Sequence, residues 1–291
     1  MKLALGTVQF GLSDGVSNTH GKTTEQQALD ILEYAWRSGI NTLDTASGYG
    51  DSEKVIGRLV DPYKWNIFTK TPHFSGKKIS KDQLKLLDIV FKQSLINLKR
   101  SNIDALLVHS AEDLLKPGGI QLFTKIQQLK ELGSINKIGV SVYNYKQIDY
   151  LLDHYEIDII QLPINILDQR LIKSGHLKKI KQHGIEIHAR SVFLQGLLLM
   201  PLHKLPAYFS KIYGNLEKFM IYAHELSLSN IELALGFVQS IEEVDKVIIG
   251  VNTVDQLYKI IDASKVKVNQ NSYFDLAVFD TDYTNPSNWR L

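Results

Sequence analysis

The chain has 291 residues, 44% of them hydrophobic and 22% charged, and it contains no cysteine. That balance is the globular norm and excludes disordered, collagen-like and low-complexity classes, while zero cysteine excludes disulfide frameworks, thiolate nucleophiles and Cys-based metal centres. The 33 basic and 31 acidic residues leave +2 at neutral pH, which gives no bulk drive toward nucleic acid or an anionic membrane.

The opening Met1-Lys2-Leu3-Ala4-Leu5-Gly6 holds too short an apolar run to read as a secretory leader. The longest apolar stretch, Val192 to Leu202, is interrupted by Gln195, Gly196 and Pro201 and falls short of the roughly 20 residues of a membrane span. A cytoplasmic protein with no membrane or nucleic-acid partner is the expectation.

Short apolar runs alternate with longer amphipathic stretches. Leu3–Thr7 reads as a first strand, and a Thr23/Gln26 capping box opens a helix through Ala28, Ile31, Leu32 and Ala35 that Gly39 closes. Asn41–Thr45 is a strand and Ser52–Leu59 a short helix. Asn66–Lys70 is the third strand; a helix begun at Ser80 then aligns Leu84, Leu87, Phe91, Leu95 and Leu98 on one face. Strand Ala105–His109 precedes helix Gly119–Leu132, and strand Lys137–Ser141 precedes helix Tyr145–His154. Strand Ile157–Gln161 leads to helix Leu171–His183. Strand Glu186–Arg190 is followed at a distance by helix Asn230–Ser240, and strand Lys246–Gly250 by helix Thr253–Ala263.

Eight strands alternating with eight helices predict an α/β fold, a (β/α)8 barrel, in one domain spanning 1–291. A doubly wound open sheet gives the same alternation, but no Gly-x-Gly-x-x-Gly follows the first strand, where a dinucleotide-binding sheet carries one. The surplus length falls in a loop after strand seven, about 192–228, with an extra helix near Tyr213–Leu226, and in a tail from about 265 to 291. Long βα loops in barrels supply substrate and cofactor contacts. In the tail, Tyr283 and Trp289 either cover the barrel mouth or pack on the surface.

Barrel active sites gather at the C-terminal ends of strands. Those ends carry Asp44 after strand two, Lys70 closing strand three and His109 closing strand four; Tyr49 follows Asp44 in the glycine-flanked loop Ser47-Gly48-Tyr49-Gly50. Their chemistry is coherent. A lysine ammonium about 4 Å from a phenol, at an effective dielectric of ~20, supplies about 4 kcal/mol, or roughly three pKa units. That would bring Tyr49 near 7, where general acid–base catalysis works best. Asp44 would hold Lys70 charged, and His109 would donate a hydrogen bond to a substrate oxygen. His188, inside strand seven, reads as a barrel-interior residue, and no residue cluster calls for a metal.

Asp44-Thr45-Ala46-Ser47-Gly48-Tyr49-Gly50, followed by Ser52-Glu53 and Ile56-Gly57, resembles the active-site signature of the aldo-keto reductases. Lys70 and His109 match that family's other catalytic positions. The resemblance runs on through Ile138-Gly139-Val140-Ser141, Gln161-Leu162-Pro163-Ile164-Asn165, Arg190–Leu198 and Ile248–Leu257, and so covers nearly the whole chain. It implies reduction of an aldehyde or ketone with a nicotinamide cofactor, Tyr49 being the general acid.

The same resemblance implies cofactor contacts. Gly6 and Thr7 fall on the nicotinamide side, and Ser141 and Gln161 where the family binds the carboxamide. Ser191, Phe193 and Gln195 match its diphosphate loop, and Gly250, Asn252, Thr253 and Gln256 its adenosine-phosphate loop. Three positions depart from the pattern. Val142 replaces an Asn, Arg190 replaces a Tyr that stacks on the nicotinamide, and Ile260 replaces an adenine-contacting Asn. Arg190 is therefore expected either to contact an anionic group on cofactor or substrate or to form a barrel-mouth salt bridge. NADP is the family default, yet no cation lies between Val247 and Tyr258, Asp255 adds an anion and Lys259 is the nearest substitute, so NAD stays open.

Gly6-Thr7-Val8-Gln9-Phe10-Gly11 and His188-Ala189-Arg190-Ser191-Val192-Phe193-Leu194-Gln195-Gly196 resemble one bacterial branch of the family, associated with surface-polysaccharide or spore-coat assembly. That implies a sugar or nucleotide-sugar carbonyl as the small-molecule substrate. Two other readings stay open: a nicotinamide-binding regulatory module with little turnover, and a sugar epimerase or dehydratase using the same site. Oligomeric state is not legible.

Overall fold

The computed structural model describes residues 2–61 and 63–290; Met1, Pro62 and Leu291 lie outside the described residues. Eight parallel strands close into a barrel in chain order. They are β1 (Leu3–Gly6), β2 (Thr42–Asp44), β3 (Asn66–Lys70), β4 (Ile103–Val108), β5 (Ile135–Ser141), β6 (Ile159–Pro163), β7 (Glu186–Arg190) and β8 (Lys246–Gly250). Closure comes from β1 pairing with β8, Leu3 opposite Val247 and Gly6 opposite Gly250. The helices following the strands are α1 (Glu25–Arg37), α2 (Ser52–Leu59), α3 (Lys81–Leu98), α4 (Gly119–Glu131), α5 (Tyr145–His154), α6 (His176–Gln182), α7 (Asn230–Gln239) and α8 (Val254–Ala263). The insertion helix, Tyr213–Glu225, lies between β7 and α7, as expected from the long loop.

Strand residues alternate between two cores. One face meets the helices in the main cluster, where Leu5, Ile67, Leu106 and Val247 are buried. The other fills the barrel: Phe68, Ala105, Leu107 and Ile159 form a separate cluster, and His188, buried, stacks on Phe68 at 5.4 Å. His188 is thus the interior residue it was expected to be. The period-two alternation carries the same inward face one step up from Phe68 to Lys70 and from Ile159 to Gln161. Elementary strand geometry therefore aims those polar side chains into the mouth.

At the opposite rim, carboxylates close the strand starts. Asp104, Asp158 and Asp245 accept from the backbone N–H groups of Ile67, Ile138 and Ile187 at 2.8, 2.7 and 2.7 Å. Arg100, Lys130 and Lys181 pair with them at 3.1, 2.6 and 2.8 Å.

Helix starts are set by reciprocal side-chain caps at Thr24/Gln27, Ser80/Gln83, Asn144/Gln147 and Ser229/Glu232. The first of these corrects the Thr23/Gln26 expectation by one residue. Thr24 accepts the Gln27 N–H at 3.3 Å, whereas the Thr23 hydroxyl is buried. The predicted helix Leu171–His183 is also two pieces, Arg170–Lys173 and α6, broken where Gly175 turns left-handed at φ +76°.

Gly57 lets α2 touch α3. A Cβ there would lie 2.0 Å from the Asn97 carbonyl oxygen, so Gly57→Ala forces the helices apart. The expected result is a loss of about 1–3 kcal/mol of stability despite the better helix former, read from the urea midpoint. An unchanged midpoint would show that the helices part without cost.

Candidate active site

Asp44 ends β2 and Lys70 ends β3 beside it, so the sheet itself brings carboxylate and ammonium together. Lys70 Nζ donates to Asp44 Oδ1 at 2.6 Å and to the Thr45 carbonyl at 2.9 Å, with the two side chains 1% and 6% exposed. The second Asp44 oxygen accepts from Gln161 Nε2 at 2.7 Å, and Ser141 Oγ donates to Gln161 Oε1 at 3.4 Å. A chain of polar contacts thus crosses the barrel mouth from β3 to β5. Burial alone would lower the Lys70 pKa, but the Asp44 and Tyr49 contacts outweigh it and the net direction is upward. Lys70 stays charged.

Lys70 Nζ lies 5.1 Å from the centre of the Tyr49 ring. Burial raises the Tyr49 pKa more than the Lys70 charge lowers it, and Asp44 adds to the rise. This corrects the expectation of a phenol poised near 7. Desolvation wins over the cation, so Tyr49 holds its proton firmly. His109 meets Tyr49 edge-to-face, ring centres 6.0 Å apart. Burial, followed by the charges of Lys70, His73 and Arg190, pushes the His109 pKa down to about 3. His109 is therefore a neutral imidazole, and its Nδ1 is buried without a partner. His73 stacks on it at 4.0 Å, a neighbour that sequence reasoning missed.

These groups open into a cleft of about 520 Å³. Of the residues expected at the site, Asp44, Tyr49, Gly6, Thr7, Gln161, Arg190, Ser191, Phe193, Gln195, Gly250, Asn252 and Gln256 line it. Lys70 lies buried behind that wall, whereas His109 is half-buried and meets Tyr49 edge-on beside it. Ser141 and Thr253 are off it as well: Ser141 reaches the cleft only through Gln161, and the Thr253 hydroxyl caps α8 by accepting the Gln256 N–H at 3.3 Å. Thr7 lines the cleft, but its hydroxyl is tied into the scaffold, donating to the Asp44 carbonyl at 3.1 Å and accepting from Ser52 at 2.9 Å. Glu53 is structural too, receiving the Thr69 hydroxyl at 2.6 Å.

The cleft walls suit a nicotinamide dinucleotide. Gln9 Oε1 is buried without a partner on the wall, and a Cβ on Gly250 would fill the space 3.0 Å from that oxygen. After β7, Ser191, Leu194 and Gln195 all sit at positive φ, 60°, 49° and 52°. Three residues of one loop in that region are strained, and strain of this kind marks ligand sites. The β1–α1 loop crosses to the same place. Ser17 donates from its backbone and its hydroxyl to the Gln195 carbonyl at 3.4 and 3.3 Å, and Asn252 Nδ2 donates to the Gly21 carbonyl at 3.1 Å.

Several wall residues were not singled out from the sequence. Asp14, Ser17 and Asn18 come from the β1–α1 loop, Tyr143 from the turn after β5, and Pro286 and Ser287 from the tail. Two bases for Tyr143 existed in the sequence, its place two residues past a strand end and its aromatic ring. Ser287 had none, since its contact with the Tyr143 hydroxyl at 3.3 Å spans 144 residues. The tail therefore reaches the mouth through Ser287, while Trp289 packs edge-on against Phe209 and Tyr283 lies against Tyr208. Lys259, on the first turns of α8, lines the cleft.

Comparison with known proteins agrees with this geometry. The model of the aldo/keto reductase family matches residues 2–277. The NADH-specific methylglyoxal reductase of Escherichia coli is 29% identical over 218 residues, 68% of this chain and 65% of that protein. The uncharacterized oxidoreductase YqkF of Bacillus subtilis is 26% identical over 287 residues, 91% and 92% of the two chains. In fold, the holo form of an aldo-keto reductase from Bacillus halodurans superposes with a TM-score of 0.77 at 20% identity, covering 99% of this chain and 95% of that one. The match over nearly all of the barrel places the chain in the aldo/keto reductase family, whose members are NAD(P)-dependent oxidoreductases.

Proposed function

We propose that Asp44, Tyr49, Lys70 and His109 are the catalytic group with which this enzyme reduces an aldehyde or ketone. The observation that carries the reading is the buried Lys70–Asp44 pair at 2.6 Å with Tyr49 above it on the wall of the cleft. When bound, the reduced nicotinamide supplies the hydride. Gly6, Gln161, Ser191, Phe193, Gln195, Gly250, Asn252 and Gln256 would hold it, with Ser141 and Thr253 acting behind them.

The side chains divide the remaining work. Neutral His109 donates a hydrogen bond to the substrate carbonyl oxygen and orients it. Tyr49 keeps its proton until negative charge develops on that oxygen, then transfers it. The resulting phenolate faces the Lys70 ammonium, so the charge stabilisation is realised in the transition state rather than in the resting enzyme. Asp44, itself held by Gln161, keeps Lys70 in place.

For the cofactor we infer NADPH, because Lys259 lines the cleft and forms no ion pair among the described residues, leaving its ammonium for a 2′-phosphate. Fluorescence titration is expected to give NADPH about tenfold or tighter binding than NADH, a difference of the size of one charge-assisted contact. Lys259→Met should erase the gap. Tighter NADH binding by the wild type would reverse the assignment.

A further inference from the structure

Among the described residues, Arg190 is a cation without a counter-ion at the reacting end of the cleft. It closes β7 opposite Pro163, and its Cζ lies 4.3 Å from the centre of the Tyr143 ring. Its hydrogen bonds are long ones, Nη2 donating to the Val142 carbonyl at 3.3 Å and Nη1 to the Ser191 hydroxyl at 3.4 Å. Among the described residues it forms no salt bridge, so the barrel-mouth ion pair expected as one alternative is not made. Lys70, the neighbouring cation, has Asp44 at 2.6 Å. That pair cancels, His109 is neutral, and Arg190 leaves the reacting end with one net positive charge.

The groups around Arg190 are donors and polarised hydroxyls. Ser287 donates to the Tyr143 hydroxyl at 3.3 Å, and Arg190, Tyr143 and Ser287 share the cleft wall with Tyr49. Burial would raise the Tyr143 pKa, yet the Arg190 charge, with Ser287 and Lys70, turns the net direction downward. Asp14, the other carboxylate on the wall, sits in the β1–α1 loop and pairs with no cation among the described residues. A guanidinium held over an aromatic ring has less freedom to turn its fork, which suits two-point recognition of carboxylate or phosphate oxygens.

We propose that Arg190, with the Tyr143 and Ser287 hydroxyls beside it, is a subsite for an anionic group on the substrate, so that the carbonyl compound reduced here carries a carboxylate or a phosphate. The proposal rests on the reductase reading above and adds the substrate's charge to it. The oxidised nicotinamide is cationic, and one bound at this end of the cleft would be repelled by Arg190. A substrate anion removes that repulsion while it anchors the carbonyl near Tyr49.

Three aldehydes of one shape test it: 4-carboxybenzaldehyde, 4-formylphenyl phosphate and the neutral methyl 4-formylbenzoate. At least one charged aldehyde is expected to exceed the ester in kcat/KM by about 10- to 100-fold, mostly through KM, and whichever does so names the anion. Arg190→Met should collapse that preference, and Arg190→Lys should keep an intermediate part, holding the charge but losing the fork. Thermal unfolding checks that both variants fold. Equal kcat/KM for all three aldehydes in the wild type overturns the proposal. So does a loss of NADPH affinity in Arg190→Met as large as the loss of preference, which would give Arg190 to the cofactor. If none of the aldehydes is reduced, the reductase reading fails instead. Calorimetric titration of terephthalate into wild type and Arg190→Met then still decides whether an anion binds here.

Discussion

Tyr49→Phe is expected to lower kcat by about 10²- to 10⁴-fold, the range of a lost general acid, while NADPH binding by fluorescence changes by no more than a few-fold. The substitution removes one oxygen and leaves the ring against which Lys70 and His109 are placed, so packing is kept and the proton alone is lost. The pH dependence sharpens the test. Burial holds the Tyr49 pKa above its usual value near 10, and Lys70 is likewise raised. Reduction needs the protonated phenol, so the rate falls only as pH climbs above about 10. His109, at about 3, changes charge far below the working range. Between these limits the rate of the chemical step should be flat. A break near pH 6.5, or an unchanged kcat in Tyr49→Phe, would move the acid from Tyr49 to a histidine.

How the site could be read in the sequence follows from where each residue lies. Asp44, Lys70 and His109 are legible because buried parallel strands are short, nearly continuous apolar runs, and polar residues at their ends stand out. Boundaries slip where a strand begins with polar residues or ends on one without an N–H. β4 starts two residues before the predicted Ala105 because Asp104 is used to cap β3, and β6 runs on to Pro163, which the last strand position tolerates. The roles of His73 and Ser287 are invisible, and that of Tyr143 nearly so, for another reason. Each acts through a neighbour far away in sequence or on another loop, and no local spacing encodes that meeting.

The expectation about Tyr49 has the right partners and the wrong direction. The Lys70 charge pulls the pKa down, but burying the phenolate pushes it up, and in a site this dry burial is the larger effect. The same reasoning turns the mechanism around. A phenol already near 7 would share its proton with water, whereas Tyr49 as placed releases it only to an oxygen that is gaining charge beside it.

Lys70→Met is the second large effect, and here stability and activity fall together. In the folded protein the substitution leaves the Asp44 carboxylate 6% exposed with Gln161 as its remaining side-chain donor. Stranding one partner of a buried ion pair costs about 3–5 kcal/mol, enough to move a urea midpoint well outside error, and kcat should drop because the Tyr49 phenolate loses its counter-charge. Asp44→Leu combined with Lys70→Met removes both charges and should recover much of the lost stability but none of the activity. The folded-state pKa of Lys70 is raised, so its contribution is fully present below its ordinary 10.5 and is lost only as pH rises through the higher folded value. The stability gap between wild type and Lys70→Met should therefore hold steady from pH 7 to 9 and begin to close above about 10.5. A single variant as stable as the wild type would mean that the pair is held for chemistry alone. A double variant no more stable than Lys70→Met would locate the loss in packing around the methionine rather than in the stranded carboxylate.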